Sequence, residues 1–279
     1  MTGDTPDLAL SSREQRLRGL LAACDSAIIA FSGGVDSAYL AWAATQVLGP
    51  SALCVTADSP SYPDHHRQLA LRIAREFGLR HEFVQTSELA QPEYRANPVD
   101  RCYHCKHELY DVLSTLAADR GITTIMDGSN ADDRSDYRPG RKAAREHGVQ
   151  SPLDVADLSK TDIRELSRLA GLPTWNEPAS ACLSSRIPYH NEVTDEKLRM
   201  IERAENVLRS MGFRVCRVRH HETLARLEFG KDEIARASEP DVLAQITKEL
   251  RAVGYQEIEV DPRGYRMGSL NEGVRLRPA

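Results

Sequence analysis

The chain has 279 residues, of which 41% are hydrophobic and 28% are charged, and its formal net charge is -5. This composition is typical of a globular protein, excludes a disordered one, and shows no sign of the basic groove of a nucleic-acid-binding protein. No stretch reaches the roughly 18 consecutive apolar residues that span a bilayer, and the first residues lack the order of a signal peptide. We therefore expect a cytoplasmic protein with neither a membrane nor a nucleic acid as partner.

Short apolar runs alternate with helical patterns in the first part of the chain. In chain order these are an apolar run at 26–31, a helix at 36–48, a run at 51–57, a helix at 63–77, a run at 81–86, a helix at 106–119 and a run at 123–128. Such alternation predicts an α/β fold with a doubly wound parallel sheet. A further helix is indicated by Ser159 as N-cap, with Asp162 three residues on and Gly171 as its stop.

The last third of the chain has a different pattern. Residues 173–192 show no regular period, and they are followed by a helix at 194–211, strands at 213–218 and 224–229, a helix at 241–253 and a strand at 256–260. This order predicts a smaller α+β domain. We expect a first domain at 1–175, a connector at 176–192 and a C-terminal domain at 193–279.

A glycine-rich loop follows the first apolar run and opens a helix. It contains Ser32, Gly33, Gly34, Asp36 and Ser37. Backbone N–H groups at a helix N-terminus bind phosphate, and paired glycines let the phosphate approach closely. The loop lacks the lysine of a GxxxxGK[ST] P-loop, and Asp36 offers oxygen ligands for Mg²⁺.

Two further loops follow strands of the predicted parallel sheet. Asp58 and Ser59 come after one strand, and Asp127, Ser129 and Asn130 come after another. In open α/β sheets ligands bind at the carboxyl ends of strands, so these side chains are candidates for contacts with the base, ribose or phosphates of a nucleotide. Capping and turn formation explain each of them equally well when taken singly.

The cysteines fall into three groups. Cys182 lies in an irregular polar segment beside Ser180 and Arg186, where a cation favours a nucleophilic thiolate. Cys102 and Cys105 form a C-x-x-C pair, a spacing found in structural, zinc, iron–sulfur and redox sites. A structural role and an iron–sulfur cluster completed by Cys182 both stay open. The remaining three, Cys24, Cys54 and Cys216, lie in apolar patterns and are expected to pack.

A basic pair lies at the end of a predicted C-terminal strand. Alternation places Arg217 and Arg219 on one face, and two adjacent guanidinium groups suit a phosphate or carboxylate.

Six segments together resemble a known family. They are SGGVDS at 32–37, TADSPSYP at 56–63, NPVDRCYHCK at 97–106, DGSNADD at 127–133, YRPGRKAAREHGVQSPL at 137–153 and EPASACLSSRIPY at 177–189. The first resembles the pyrophosphate loop of N-type ATP pyrophosphatases, the PP-loop superfamily. The whole set is similar to the LarE family of ATP-dependent sacrificial sulfur transferases.

The resemblance implies a reaction and its cofactors, ATP and Mg²⁺. ATP adenylates a carboxylate of pyridinium-3,5-biscarboxylic acid mononucleotide, and Cys182 attacks the adenylate and then gives up its sulfur, which leaves dehydroalanine. Asp36 is implied as a catalytic and metal-binding residue, and Arg186, Arg217, Arg219 and Glu228 are implied to bind the substrate. The resemblance also implies a homo-oligomer and handover of the product to the nickel-inserting enzyme of nickel-pincer cofactor synthesis.

Three other functions compete with this one. A tRNA-thiolating enzyme shares the loop and the C-x-x-C pair, but it needs a basic stripe that the sequence lacks. An amide-forming synthetase lets ammonia attack the adenylate, yet no glutaminase segment is evident. A non-catalytic nucleotide-binding module would have no need of Cys182 beside Arg186 in the same chain as the glycine loop.

Overall fold

A computed structural model describes residues 8–178, 181–266, 268 and 270. It contains one parallel and one mixed sheet. The strands are β1 (Ala27–Ala30), β2 (Ala52–Asp58), β3 (His81–Gln85), β4 (Thr124–Met126), β5 (Cys216–His221), β6 (Leu224–Phe229) and β7 (Glu257–Val260).

Helices connect these strands and pack on the two sheets. They are α1 (Leu8–Ala22), α2 (Val35–Leu48), α3 (Asp64–Glu76), α4 (Pro92–Arg95), α5 (Arg101–Arg120), α6 (Gly140–Glu146), α7 (Pro152–Val155), α8 (Lys160–Leu169), α9 (Asp195–Ser210), α10 (Ile234–Ala237) and α11 (Pro240–Val253). In this described part of the chain, no helix is both long and apolar enough to cross a membrane.

The first sheet has the strand order β3-β2-β1-β4, and all its pairs are parallel. Side chains alternate across it, so that Ile29 packs with α1, α2, α3 and α8 on one face while Ile28 packs with α5 and α6 on the other. The predicted α/β fold with a doubly wound sheet is confirmed. The strand order reverses between β1 and β4, and ligands bind at such a switch point in open α/β sheets.

The second sheet has the order β5-β6-β7, with an antiparallel β5–β6 pair and a parallel β6–β7 pair. Helices α9 and α11 pack on it through a separate apolar core. Both units therefore bury a core of their own. The domain limits at 175 and 192 stay a prediction.

Two predicted element bounds were wrong. The strand predicted at 213–218 begins only at Cys216, because the backbone N–H groups of Arg214 and Val215 donate to the Glu233 carboxylate (2.8 and 2.9 Å). Those two residues therefore do not need a sheet partner. The helix predicted from residue 106 begins at Arg101, which places the C-x-x-C pair in its first two turns. Ser159 and Asp162 form the predicted capping box of α8.

Candidate active site

The glycine loop joins β1 to α2 at the switch point. Gly33 has a φ of +70°, a left-handed conformation that favours glycine, and a Cβ there would lie 3.2 Å from the Cβ of Ala70. The hydroxyl of Ser37 accepts from the backbone N–H of Ser32 (3.2 Å) and lies 3.0 Å from the Ser32 hydroxyl. The loop thus folds over the first turn of α2, where backbone N–H groups attract an oxyanion.

Asp36 lies in the first turn of α2 and forms an ion pair with Lys160, the first residue of α8. Its other carboxylate oxygen, Oδ1, is buried and has no hydrogen-bond partner among the described residues. A buried carboxylate oxygen without a partner fits the hard, oxygen-ligated coordination that Mg²⁺ prefers.

The loop after β4 packs directly against the glycine loop. A Cβ on Gly128 would lie 3.0 Å from the backbone nitrogen of Ser37. This close approach disfavours any larger residue at position 128 and joins the two loops into one surface at the switch point.

The polar side chains of this loop stabilise the loop itself. The carboxylate of Asp127 accepts from Tyr110 Oη (3.0 Å), Ser151 Oγ (2.7 Å) and the backbone N–H of Ser129 (3.1 Å), and Asp127 is buried. The Ser129 hydroxyl also donates to Asp127 (3.0 Å), and Asn130 caps a short 3-10 helix at Ala131–Arg134. The hydrogen bonds of Asp127, Ser129 and Asn130 build the turn, and the phosphate contacts expected of these residues stay a prediction.

Asp58 and Ser59 line a cavity of about 340 Å³ together with Tyr62, Arg67, Asp195 and Glu202. Because the last two belong to α9, the cavity lies between the two sheets' units. The Arg67 guanidinium donates to Asp58 and lowers the pKa of that carboxyl. The predicted pair therefore faces a space large enough for a small ligand.

Cys182 is half-buried and is the N-cap residue of a 3-10 helix at Leu183–Arg186. Its carbonyl oxygen accepts from Ser185 Oγ and Arg186 Nη1, both at 2.8 Å. The next residue, Leu183, donates its backbone N–H to Ser61 of the loop after β2 (2.8 Å). Main-chain contacts thus hold the cysteine beside the loop that follows β2. Ser180, noted as a polar neighbour, lies outside the described residues.

Arg186 is buried inside the protein, in contrast to the substrate contact predicted for it. Its Nε and Nη2 donate to the two oxygens of Glu205 at 2.8 and 3.0 Å, and its Nη1 donates to carbonyl oxygens of Ala181 and Cys182. The Arg186 side chain is 1% exposed. It therefore positions the Cys182 segment from within.

The C-x-x-C pair lies in the electrostatic neighbourhood of Cys182. Desolvation raises the pKa of Cys105 well above its ordinary value, and negative charge at Glu88, Cys182 and Cys102 raises it further. Arg101 is buried beside the same thiols. Desolvation opposes its charge, but negative charge at Cys182 and Cys102 raises its pKa. Arg101 is therefore a buried guanidinium in the electrostatic neighbourhood of both Cys182 and the C-x-x-C pair.

Arg219 links the second sheet to the Cys182 segment. Its Nη1 donates to the carbonyl oxygen of Ser185 (2.8 Å), and its Nη2 donates to Glu228 on β6 (2.7 Å). The neighbouring Arg217 is buried, and its guanidinium lies over the ring of Tyr265. The structure thus brings three predicted substrate-binding residues to one side of β5 and β6, next to the segment of Cys182.

His66 adds a buried imidazole to this region. Desolvation, with help from the positive charges of Arg217 and Arg186, lowers its pKa to about 4. The ring is therefore neutral at physiological pH.

Sequence reasoning missed several residues of the site. Lys160 pairs with Asp36 across 124 positions, and Glu205 pairs with Arg186 from a different helix. Arg101 stands inside the recognised NPVDRCYHCK segment, and this adjacency to Cys102 was the one available signal.

No family model matches the chain. It is 44% identical over 262 residues to an uncharacterized protein of Synechocystis sp., covering 94% of this chain and 98% of that protein. It is 33% identical over 267 residues to the pyridinium-3,5-bisthiocarboxylic acid mononucleotide synthase of Lactiplantibacillus plantarum, covering 94% and 95%. A glutamine-hydrolysing GMP synthase of Aeropyrum pernix is 26% identical over 207 residues, or 66% of this chain and 39% of that protein.

The parallel sheet, the glycine loop at its switch point and the likeness to GMP synthase define a protein of the PP-loop superfamily. Within that superfamily, the match to the synthase of L. plantarum extends over nearly the full length of both chains and shows the family. The chain belongs to the LarE family.

Proposed function

We propose that this protein transfers sulfur to pyridinium-3,5-biscarboxylic acid mononucleotide in nickel-pincer cofactor synthesis. A substrate carboxylate oxygen attacks the α-phosphate of ATP, which forms the acyl adenylate and releases pyrophosphate. The Cys182 thiolate displaces AMP and forms a thioester. A base removes the α proton of Cys182, the Cβ–S bond breaks, and the sulfur leaves on the product as a thiocarboxylate. Dehydroalanine remains at position 182.

Residues at the switch point perform the first half of this reaction. Backbone N–H groups of the glycine loop and the start of α2 hold the phosphates, and the Lys160 ammonium, fixed by Asp36, neutralises developing negative charge. Mg²⁺, when bound at Asp36, supplies further charge neutralisation to the leaving pyrophosphate.

The position of Cys182 carries the proposal. Its segment is hydrogen-bonded on one side to the loop after β2, through Leu183 and Ser61, and on the other side to β5, through Ser185 and Arg219. In the proposed reaction the nucleophile lies between the loops that bind the nucleotide and a cationic strand suited to a substrate phosphate, and these contacts support that arrangement. Two buried guanidinium groups belong to this region: Arg186 donates to the Cys182 carbonyl oxygen (2.8 Å), and negative charge at Cys182 raises the pKa of Arg101.

Intact mass spectrometry tests this reaction directly. After incubation with ATP, Mg²⁺ and the dicarboxylate mononucleotide, the chain should lose about 34 Da, one H₂S, at Cys182. Cys182→Ala should still form AMP but no thiocarboxylate, whereas Asp36→Ala should lose AMP formation. Cys24→Ala, at a half-buried cysteine outside the site, serves as the control and should react normally. Sulfur transfer by Cys182→Ala would contradict the proposal.

The shared neighbourhood of the three thiols favours a second candidate. In it, Cys102, Cys105 and Cys182 hold an iron–sulfur cluster that carries the transferred sulfur, and the adenylation half is unchanged. Thiocarboxylate formation with an unchanged protein mass supports this candidate and excludes sacrifice of Cys182. An unchanged mass without product contradicts both.

A further inference from the structure

Three potential metal ligands converge on the surface where α5 meets the end of α6. His107 and Asp111 stand one turn apart on α5, and His147 directly follows α6. Nδ1 of His107 lies 3.1 Å from Asp111 Oδ2, and Nε2 of His147 lies 3.8 Å from Asp111 Oδ1. One ligand atom from each residue lies within 4.8 Å of the others.

These separations are close to those of a metal site. With metal–nitrogen and metal–oxygen bonds of about 2.0–2.1 Å, two ligand atoms in a tetrahedral site are about 3.3 Å apart. Small rotations of exposed side chains bring the three atoms to that spacing, because Asp111 is 62% exposed and His107 is 44% exposed.

The third ligand is already fixed in place. The side chain of His147 is only 13% exposed, and its ring lies 4.7 Å from that of His107 at 85° and 5.9 Å from that of Tyr110. The end of α6 is held on α5 by the hydroxyl of Tyr103, which donates to Glu146 (2.7 Å). Such preorganisation lowers the entropic cost of binding an ion.

This group is separate from the C-x-x-C pair. At 3.6 residues per turn, His107 lies about 160° around α5 from Cys105, and so points away from the thiols of the proposed sulfur site. Its donor set also differs, with two imidazoles and one carboxylate in place of thiolates.

We propose that His107, Asp111 and His147 bind a divalent transition metal ion. Two imidazoles and a carboxylate suit Zn²⁺, Co²⁺ or Ni²⁺ and are a poor match for Mg²⁺ or Ca²⁺, which prefer oxygen ligands alone. Water completes the coordination on the exposed side. The ion bridges α5 to the end of α6 and stabilises their junction.

Cobalt titration of the full chain, stripped of metal with a chelator, tests the site. Co²⁺ should produce visible d–d absorption without a thiolate-to-cobalt charge-transfer band, and it should raise the melting temperature. His107→Gln, Asp111→Asn and His147→Gln should each weaken Co²⁺ binding at least tenfold and abolish that rise. His104→Gln, a half-buried histidine on the same helix, is the matched control and should bind as the parent does.

Three results would contradict the assignment of this metal site. Equal affinity in the parent and the three variants, or a thiolate-to-cobalt band at stoichiometric binding, would place the ion elsewhere and overturn the assignment. Absence of binding overturns it as well. Asp111→Asn keeps the test decisive should a histidine variant fold poorly, because Asp111 is an exposed residue whose side chain changes little in shape. None of these readouts depends on sulfur transfer.

Discussion

Arg186 and Glu205 form a bidentate ion pair that is sealed from solvent, with side chains 1% and 0% exposed. It joins the segment of Cys182 to helix α9. A buried pair of this kind contributes little net stability compared with apolar residues, but loss of one partner leaves an uncompensated charge in the interior.

Glu205→Gln should therefore lower the free energy of unfolding by about 3–5 kcal/mol, since the Arg186 charge stays buried without its counter-ion. Urea denaturation measures this. Glu165→Gln is the control, because Glu165 pairs with Arg168 at the surface and its loss should cost less than about 1 kcal/mol. Similar losses in the two variants would contradict the structural role assigned to Arg186.

The buried imidazole of His66 predicts a pH dependence of stability. Its folded pKa, about 4, lies below the ordinary histidine value. As pH falls below about 6.5 the unfolded chain takes up a proton that the folded chain does not, so stability falls until about pH 4, by up to about 3 kcal/mol. His66→Gln should reduce the fall in unfolding free energy between pH 6.5 and 5, although burial also lowers the pKa values of His65, His81, His220 and His221, which keep part of the slope.

His104→Gln is the control for this effect and should keep the slope of the parent. Urea unfolding at several pH values provides the comparison. If the unfolding free energy of His66→Gln fell with pH as steeply as that of the parent, another group would cause the acid sensitivity.

Gly128→Ala should weaken ATP binding by about tenfold or more, about 1.4 kcal/mol, because the added methyl group would lie 3.0 Å from the backbone nitrogen of Ser37 and must push the two loops apart. Isothermal titration calorimetry measures the affinity. Gly19→Ala is the matched control, since its Cβ meets nothing within 4 Å and alanine favours its helix. Unchanged affinity in Gly128→Ala would mean that the nucleotide does not use this junction.

Lys160→Met should lower adenylate formation by about a hundredfold, since under the proposed function the ammonium paired with Asp36 neutralises charge as pyrophosphate leaves. AMP formation in the presence of the mononucleotide substrate measures the rate. Lys231→Met, at an exposed lysine, controls for a general loss of charge. Equal rates of AMP formation in both variants would contradict a role of Lys160 in the reaction.

The periodicity of apolar residues and the composition of the loops predicted the parallel sheet and the position of its glycine loop. Apolar runs of strand length, separated by helical patterns, indicated the parallel sheet, and paired glycines marked the loop at its switch point. These features depend on local backbone preference, which sequence carries directly.

Side-chain partners were harder to predict, as Arg186 and Asp127 show. An arginine beside a cysteine and an acid after a strand both looked like ligand contacts, yet each is buried in hydrogen bonds to protein atoms. Their partners come from distant parts of the chain and are fixed only when the elements pack. Arg101 and Lys160 were missed for the same reason.

The hydrogen bonds described for Cys182 engage its carbonyl oxygen, and none described involves its sulfur. Under the proposed reaction, a chain that has surrendered its sulfur keeps the contacts that hold this segment. Such a used molecule would stay folded and would still bind ATP and substrate without converting them. The cell's supply of product would then depend on the ratio of unreacted to used chains. Under the proposed reaction the protein is a consumed reagent, and its used form competes with unreacted chains for ATP and substrate.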